Sequence, residues 1–597
     1  MTQTLTGAEN IRWNLNDLYS SLKDPALDRH RREALAQAQE FETQTRGQVA
    51  ALDPAGLAKA MENLEAVLTK TYRAMVFAEL TFAGDTQQAS HGALLQACRE
   101  TYSQVRQHLI FFDLEWLALD EKEADKLLAD PALARWRHHL SVARAQKPYT
   151  LSEPEEQALE VKALTGRLAF TRLFDELVAG ITCQVEESSP PVSLQQALSM
   201  LYRPQREQRA AAAKAITLGL AGTQRQFGFI TNTLAQDHAG EDTLRQRPHP
   251  MAARNLENEI SQQNVDDLLA ACERKIGMVP RYYRLKARLL KLDSLADYDR
   301  YAPIRFNTPP VPFDKARRMV LDAYGAFSPK MGEIAALFFT NNWIDAEPRP
   351  GKAGGAFSAS TLPDLHPYIL MNYTGSLRDV MTLAHELGHG VHQYLSQSQG
   401  LFHMRTPLTT AETASVFGEM VVFRRLMAAE QDPATRLALL CGKLEDAFAT
   451  VFRQAVMTRF EQSVHAARRA QGELDLKTLG ELWRRANQPM FGNAVQMTEG
   501  YSTWWSYIPH FIHTPFYCYA YSFGELLVFA LLARYDQEGP SFVPKYMALL
   551  ASGGSTSPQA LMKTVGLDIS APNFWDSGLA VLESMVDEAE ALAEQAG

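Results

Sequence analysis

Residues 381–395 read MTLAHELGHGVHQYL. Leu383, Leu387 and Val391 recur every four residues, the signature of a helix with one apolar face. Ser376 and Asp379 have the spacing of a capping box, so the helix should begin near Ser376. Helical periodicity then sets His385 and His389 one turn apart on the same face. Two imidazoles so placed can converge on one tetrahedral ion. Glu386, offset by about 100° from His385, can flank that ion and reach a water beside it. Gly388 and Gly390 leave room for a neighbouring backbone to approach.

This is the HExxH arrangement of zinc peptidases. Its three fixed positions recur by chance roughly once in a hundred chains of this length, so the surroundings must decide. The stretch 338–375 just before it contains FFTNNWIDAEPRPGKAGGAFSAS and HPYILMNYTGS. Glycine, proline, aromatic and β-branched residues there predict short strands and loops. The rest of the chain reads as helix, so this is the single sheet expected. His392 is excluded as a third ligand, because seven residues carry it about 10 Å along the axis from His385. It is expected to be a supporting, substrate-side or packed histidine. The pattern HExxHxxGxxH also fails, since His392 and Leu395 stand where Gly and His are needed. TTAETASVFGEMVVFRRL (409–426) is predicted as one helix capped by Thr409 or Thr410. Either Glu412 in its first turn or Glu419 two turns on could complete the metal set. A carboxylate near a helix start gains from the dipole, and Glu419 could instead pair with Arg424 or Arg425.

HELGHGVHQYL followed by AETASVFGEM resembles the oligoendopeptidase F family, relatives of thimet oligopeptidase. The likeness extends through PYILMNYTGSLRDVMTLAHELGH and IPHFIHTPFYCYAYSFGEL. It implies a glutamate ligand in an ExxS context, which Glu412 to Ser415 matches, and so favours Glu412 over Glu419. It implies Zn²⁺ as cofactor, Glu386 as general base and acid, and a tyrosine and a histidine that stabilise the transition state. By register these are Tyr519 and His510, with Tyr517 and His513 as substrate-binding neighbours. Thr514 and Pro515 are expected to start the helix that carries the tyrosines. Gly354 and Gly355 could let a peptide approach the backbone closely. Tyr368 to Gly375, with Asn372, is expected to offer a strand edge to an extended peptide. The stretch GKAGGAFSAS lacks the frame of a phosphate loop.

The implied fold is mainly α, a two-lobed helical metallopeptidase with a small β-sheet beside the HExxH helix and a deep substrate channel. VEESSPPVSL (185–194) suggests a boundary, giving a helical N-terminal lobe over 1–190 and a catalytic zinc peptidase domain over 191–597. The 597 residues exceed what one core usually holds. A net charge of −10, with no basic stripe, disfavours nucleic acid and anionic membranes as partners. The N-terminus lacks the basic and apolar segments of a signal peptide. No apolar run is long enough to span a bilayer. Five scattered cysteines without a CxxC fit a reducing cytoplasm and five core positions. The expected activity is zinc-dependent endopeptidase cleavage of short unstructured oligopeptides. A zinc-containing peptide-binding protein without catalysis, or a metal hydrolase of non-peptide amides, are the rivals. Composition leaves the oligomeric state open.

Overall fold

The computed structural model describes residues 6–163, 165–304 and 310–596, and helix predominates in them. Helices begin where Asp-Pro pairs place them. Asp53 caps Pro54–Gly84, its carboxylate accepting from the Gly56 amide at 2.7 Å. The proline sits in the first turn, where no intrahelical N–H is needed. Asp24 and Asp130 repeat the device ahead of Pro25 and Pro131. All five cysteines are buried and none is bridged.

Contacts divide the chain into two units, each assembled from three separated stretches. One comprises Met1–Pro148, Thr308–Leu426 and Arg534–Asp568, the other Tyr149–Asn307, Met427–Ala533 and Ile569–Gly597. The expected boundary near 190 is not where the chain divides. VEESSPPVSL instead closes a hairpin, Thr182–Cys183 antiparallel to Val192–Ser193, inside the second unit. Its prolines sit between paired strands, which is why they mimic a linker. The helices Pro25–Thr45, Pro54–Gly84 and Ala89–Ala118 do not stand apart from the histidine stretch either. Leu362 and Leu401 belong to the same apolar core as Leu57, Leu64, Phe111 and Trp116.

In the first unit a three-stranded sheet precedes the histidine helix. Tyr368–Leu370 lies in the middle, parallel to Ile344–Asp345 and antiparallel to Phe357–Ala359. The expected peptide-accepting edge, 368–375, is therefore the centre of the sheet at its strand residues, and Phe357–Ala359 is an edge. The N-terminal segment packs on this sheet. Its Asn14 carbonyl accepts from the Tyr368 hydroxyl at 3.1 Å, and Trp13 packs edge-on to the Tyr368 ring.

The second unit packs the helices Pro433–Thr450 and Phe574–Ala596 together, with Phe452–Gln471 against Leu476–Phe491. Asp299, fully buried, is held by both Arg206 and Arg209 at 2.8 Å. A further two-residue pairing, Leu295–Ala296 with Val495–Gln496, lies here. The sheet before the histidine helix is thus not the only β-structure. Two-residue strands carry too little periodicity to be read from sequence.

Candidate active site

The histidine helix spans Leu377–Ser396. Ser376 caps it, and the Asp379 side chain returns the bond to the cap backbone, as its spacing predicts. Leu383, Leu387 and Val391 are fully buried, which fixes the rotation of the helix. Gly388 lies against another backbone: a Cβ there would meet the Ser415 Cα at 2.6 Å. Gly390 faces a side chain instead: a Cβ there would meet the Phe338 ring at 2.5 Å.

The predicted helix over 409–426 is two helices. Leu408–Ala411 ends, and Ser415–Ala429 begins three residues after Glu412. Thr409 and Thr410 are buried within the first piece. Glu412 lies at the break, where the Ser415 hydroxyl donates to its carboxylate at 2.7 Å. The ExxS spacing is thereby a small clamp that aims the acid.

Rotation of one helix and a break in the next bring three side chains together. His385, His389 and Glu412 each offer a donor atom within 4.8 Å of the other two. Glu412 Oε2 lies 3.3 Å from His385 Nε2 and 3.4 Å from His389 Nε2. The edge of a tetrahedron with metal–ligand bonds near 2.05 Å is about 3.3 Å, so the set matches a tetrahedral divalent ion in donor type and spacing. Glu419 lies outside this set. Its Oε2 sits 3.3 Å from the other nitrogen of His385, Nδ1, and so orients that ring. Arg424, a suggested partner of Glu419, pairs with Asp536 instead.

Glu386 is buried, and its Oε2 finds no hydrogen-bond partner among the described residues. Burial raises its pKa above the usual carboxylate value, while the two histidines pull it back. A cavity of about 460 Å³ is lined by His385, Glu386, His389 and Glu412 and, opposite them in the sequence, by Phe357 and Ser358. Gln393 ties that edge strand to the histidine helix, accepting from the Ser358 hydroxyl at 2.8 Å and donating to its carbonyl at 3.1 Å. His392 borders the same cavity. Burial pushes its pKa down to about 3, and its ring bonds the Ala411 backbone beside Glu412. It is a neutral support of the Glu412 turn.

Gly354 and Gly355 are exposed on the loop before the edge strand, and Gly355 needs glycine for its φ of +77°. Asn372 does not project freely. Its Nδ2 donates to the carbonyls of Ala353 and Gly355 at 3.0 and 3.1 Å, bracing that loop. Lys352, unassigned by sequence reasoning beyond its failure as a phosphate-loop lysine, is the main brace. Its fully buried ammonium donates to the carbonyls of Asp345, Glu347 and Met371 and lies 2.7 Å from the Asp345 carboxylate. No sequence signal distinguishes such a lysine from a surface one.

The second unit holds the aromatic segment. His510–His513 is a short helical turn rather than a loop, and the next helix starts at Tyr519, not at Thr514. Phe516 is the reason. It is buried with a left-handed φ of +59°, which no helix accommodates. Its amide donates to the Glu461 carboxylate at 2.8 Å. Glu461 Oε2 is buried without a hydrogen-bond partner, and burial pushes the carboxyl pKa up to about 8.

The tyrosines are sorted accordingly. Tyr519, expected to stabilise a transition state, is fully buried. Its hydroxyl donates to Asn255 Oδ1 and accepts from Asn258 Nδ2, both at 2.9 Å, so it belongs to the core. Tyr517 and Tyr521 are partly exposed and surround His510. The His510 ring stacks on Tyr517 at 6.0 Å, and His510 Nε2 lies 3.4 Å from the Tyr521 hydroxyl. Burial and the nearby Arg453 lower the His510 pKa. His513 points elsewhere, its Nε2 2.7 Å from Asp175 Oδ1. Tyr519 and His513 are thus engaged with Asn255, Asn258 and Asp175, and Tyr521 is the tyrosine whose hydroxyl lies beside His510.

Comparison with known proteins agrees with this chemistry. The family model described as Peptidase family M3 matches residues 331–581, and that described as Oligopeptidase F matches 115–182. The chain is 25% identical to the Bacillus subtilis oligopeptidase PepF over 550 residues, covering 90% of this chain and 81% of that one. It is 24% identical to an oligoendopeptidase F homolog of Lactococcus lactis over 611 residues, 98% of each. The fold matches the crystal structure of oligoendopeptidase-F from Enterococcus faecium with a TM-score of 0.73 at 23% identity, over 95% of this chain and 99% of that one. It also matches PZ peptidase A, at 0.74 and 16%, over 97% and 99%. The chain belongs to peptidase family M3, among the oligoendopeptidase F enzymes, and is a metallopeptidase.

Proposed function

We propose that the chain is a zinc-dependent endopeptidase of short, unstructured oligopeptides. The observation that carries this is the convergence of His385, His389 and Glu412 at the spacing of tetrahedral ligands, beside an acid with an unpartnered oxygen. Two imidazoles and one carboxylate suit Zn²⁺ and leave a coordination position open. A bound divalent ion supplies Lewis acidity towards the scissile carbonyl and lowers the pKa of water near it.

The protein does the remaining work. Glu386 Oε2 takes the proton of the attacking water and later delivers it to the departing amine. Its raised pKa suits an acid that must release a proton as well as accept one. Glu419 holds the His385 tautomer, and Ser415 and His392 hold the Glu412 turn. The family likeness implies a histidine and a tyrosine as hydrogen-bond donors to the developing oxyanion, and His510 with Tyr521, adjacent within the second unit, is the candidate pair. The edge strand Phe357–Ala359, steadied by Lys352 and Asn372, receives the substrate as an extended strand. The oligopeptidase names of the relatives support short peptides as substrates, as does a cavity of about 460 Å³, which admits an extended segment but not a folded body.

The test pairs metal analysis with cleavage of quenched-fluorescent peptides, with and without chelator. Glu386→Gln is expected to keep its zinc and to lose about 10²- to 10⁴-fold in kcat. Zinc-loaded wild type that cleaves nothing in a mixed peptide pool would overturn the peptidase reading and leave the two rivals, a non-catalytic peptide binder and a hydrolase of non-peptide amides.

A further inference from the structure

The cavity beside the histidine helix carries one more charged group, which the chemistry above does not use. Among the residues lining it, Arg405 is the only lysine or arginine. Its side chain is exposed, and among the described residues no carboxylate lies within ion-pair distance of it. Glu79 feels its charge but does not pair with it.

An unpaired surface arginine is ordinary by itself. Two features set this one apart. Its backbone is pinned: the Ser396 hydroxyl donates to the Met404 carbonyl at 2.7 Å, and the Gly554 amide donates to the His403 carbonyl at 2.7 Å. Gly554 lies so close to the Arg405 carbonyl that a Cβ would collide with it. The guanidinium is also supported, 5.5 Å from the centre of the Tyr72 ring, which stacks in turn on Tyr102 at 6.1 Å. A planar cation held on an aromatic face keeps its donor edge open and loses little freedom on binding. Two parallel N–H bonds from such an edge match a carboxylate.

We propose that Arg405 is a specificity-determining residue that binds a carboxylate of the peptide substrate in the histidine-helix cavity. The inference rests on the peptidase reading given above and deepens it, by naming an anionic class of substrate. The carboxylate can be the peptide's C-terminus or an Asp or Glu side chain, which share one recognition chemistry.

The experiment uses the full-length zinc-loaded enzyme and quenched-fluorescent peptides in matched pairs. One series exchanges Asp for Asn at each position flanking the scissile bond. The other compares a free with an amidated C-terminus. Wild type is expected to favour the carboxylate member of one pair by about tenfold in kcat/KM, mainly through KM, since the contact persists from ground state to transition state. That preference should shrink as salt is raised. Arg405→Gln should bring the ratio close to one, and Arg405→Lys should restore part of it. The responding series identifies the source: Asp against Asn for a side chain, free against amidated for the terminus. Cleavage without discrimination in any pair, or a ratio unchanged in Arg405→Gln, overturns the assignment alone. A zinc-loaded wild type that cleaves no peptide overturns the peptidase reading and the assignment with it.

Discussion

The histidine helix and the aromatic segment 510–521 both place polar groups among apolar neighbours, and they do so by opposite means. In the helix an unbroken backbone carries His385 and His389 round to one face, and glycines let Ser415 and Phe338 press against it. In the aromatic segment the backbone is broken. Phe516 turns left-handed, Glu461 holds its amide, and tyrosines two residues apart part company. Tyr519 enters the core on two asparagines, while Tyr517 and Tyr521 close round His510. Regular backbone positions the two histidines by period alone, while Glu412 is aimed at a helix end by Ser415. A break does so only with a dedicated partner for the strained residue, here a buried carboxyl.

The largest expected effect tests the first half of that contrast. Gly388→Ala drives a methyl group into the backbone beside Glu412, so zinc content should fall and kcat/KM should drop by about 10²-fold or more. Gly442 has open space around its Cα and is the control. Gly442→Ala, within the helix Pro433–Thr450, should be neutral or stabilising by up to about 1 kcal/mol. Elemental analysis and thermal melts distinguish the two.

The sorting of the tyrosines is tested next. Tyr521→Phe is expected to lower kcat by about 10²-fold with stability little changed. Tyr519→Phe leaves Asn255 and Asn258 short of a partner, so it should cost about 1–3 kcal/mol in urea unfolding and leave kcat close to wild type. Equal loss of kcat in both variants would show that the core position of Tyr519 does not keep it out of the chemistry. A smaller change comes from Glu419→Gln, which should weaken zinc affinity about 10- to 100-fold in a competition titration with a chelator.

The last test concerns pH. The buried Glu461 carboxyl has a pKa of about 8 against an ordinary 4.5. Between those values the folded state keeps a proton that the unfolded chain releases. Stability therefore falls as pH rises through that window and levels off above 8. His465, one turn along the same helix, works in the other direction. Burial lowers its pKa from 6.5 to about 3, so stability is lost as pH falls through that range. Glu461→Gln removes the first slope only. Its stability relative to wild type, from urea titrations, should rise between pH 5 and pH 8, and a constant difference would show that Glu461 is not held neutral.

The same contrast explains what was legible in the sequence. The four-residue spacing of Leu383, Leu387 and Val391, with the Ser376–Asp379 box, located the histidine helix and its inward face, because local geometry alone determines both. The reading of Glu412 as the third member of the set rested on the family likeness and on ExxS. The chain break that aims it could not be read, since Thr413, Ala414 and Ser415 are compatible with helix. The helix start was placed too early because Thr514-Pro515 looks like a cap and first turn. The left-handed turn at Phe516 depends on Glu461, 55 residues earlier, and long-range partners leave no trace in a local window. The middle strand was mistaken for an edge for the same reason, since strand order is not written in the segment itself. A boundary at 190 followed from prolines that turn out to sit in a hairpin.

The shared core of Leu57, Trp116, Leu362 and Leu401 has a consequence for biosynthesis. The last member of that core is Leu401, so the opening helices leave the ribosome long before it exists. At ordinary elongation speeds the wait is roughly 15 to 60 s. Throughout it the apolar faces of those helices must be shielded by one another or by a chaperone, and a chain stalled before Leu401 would be a natural target for degradation.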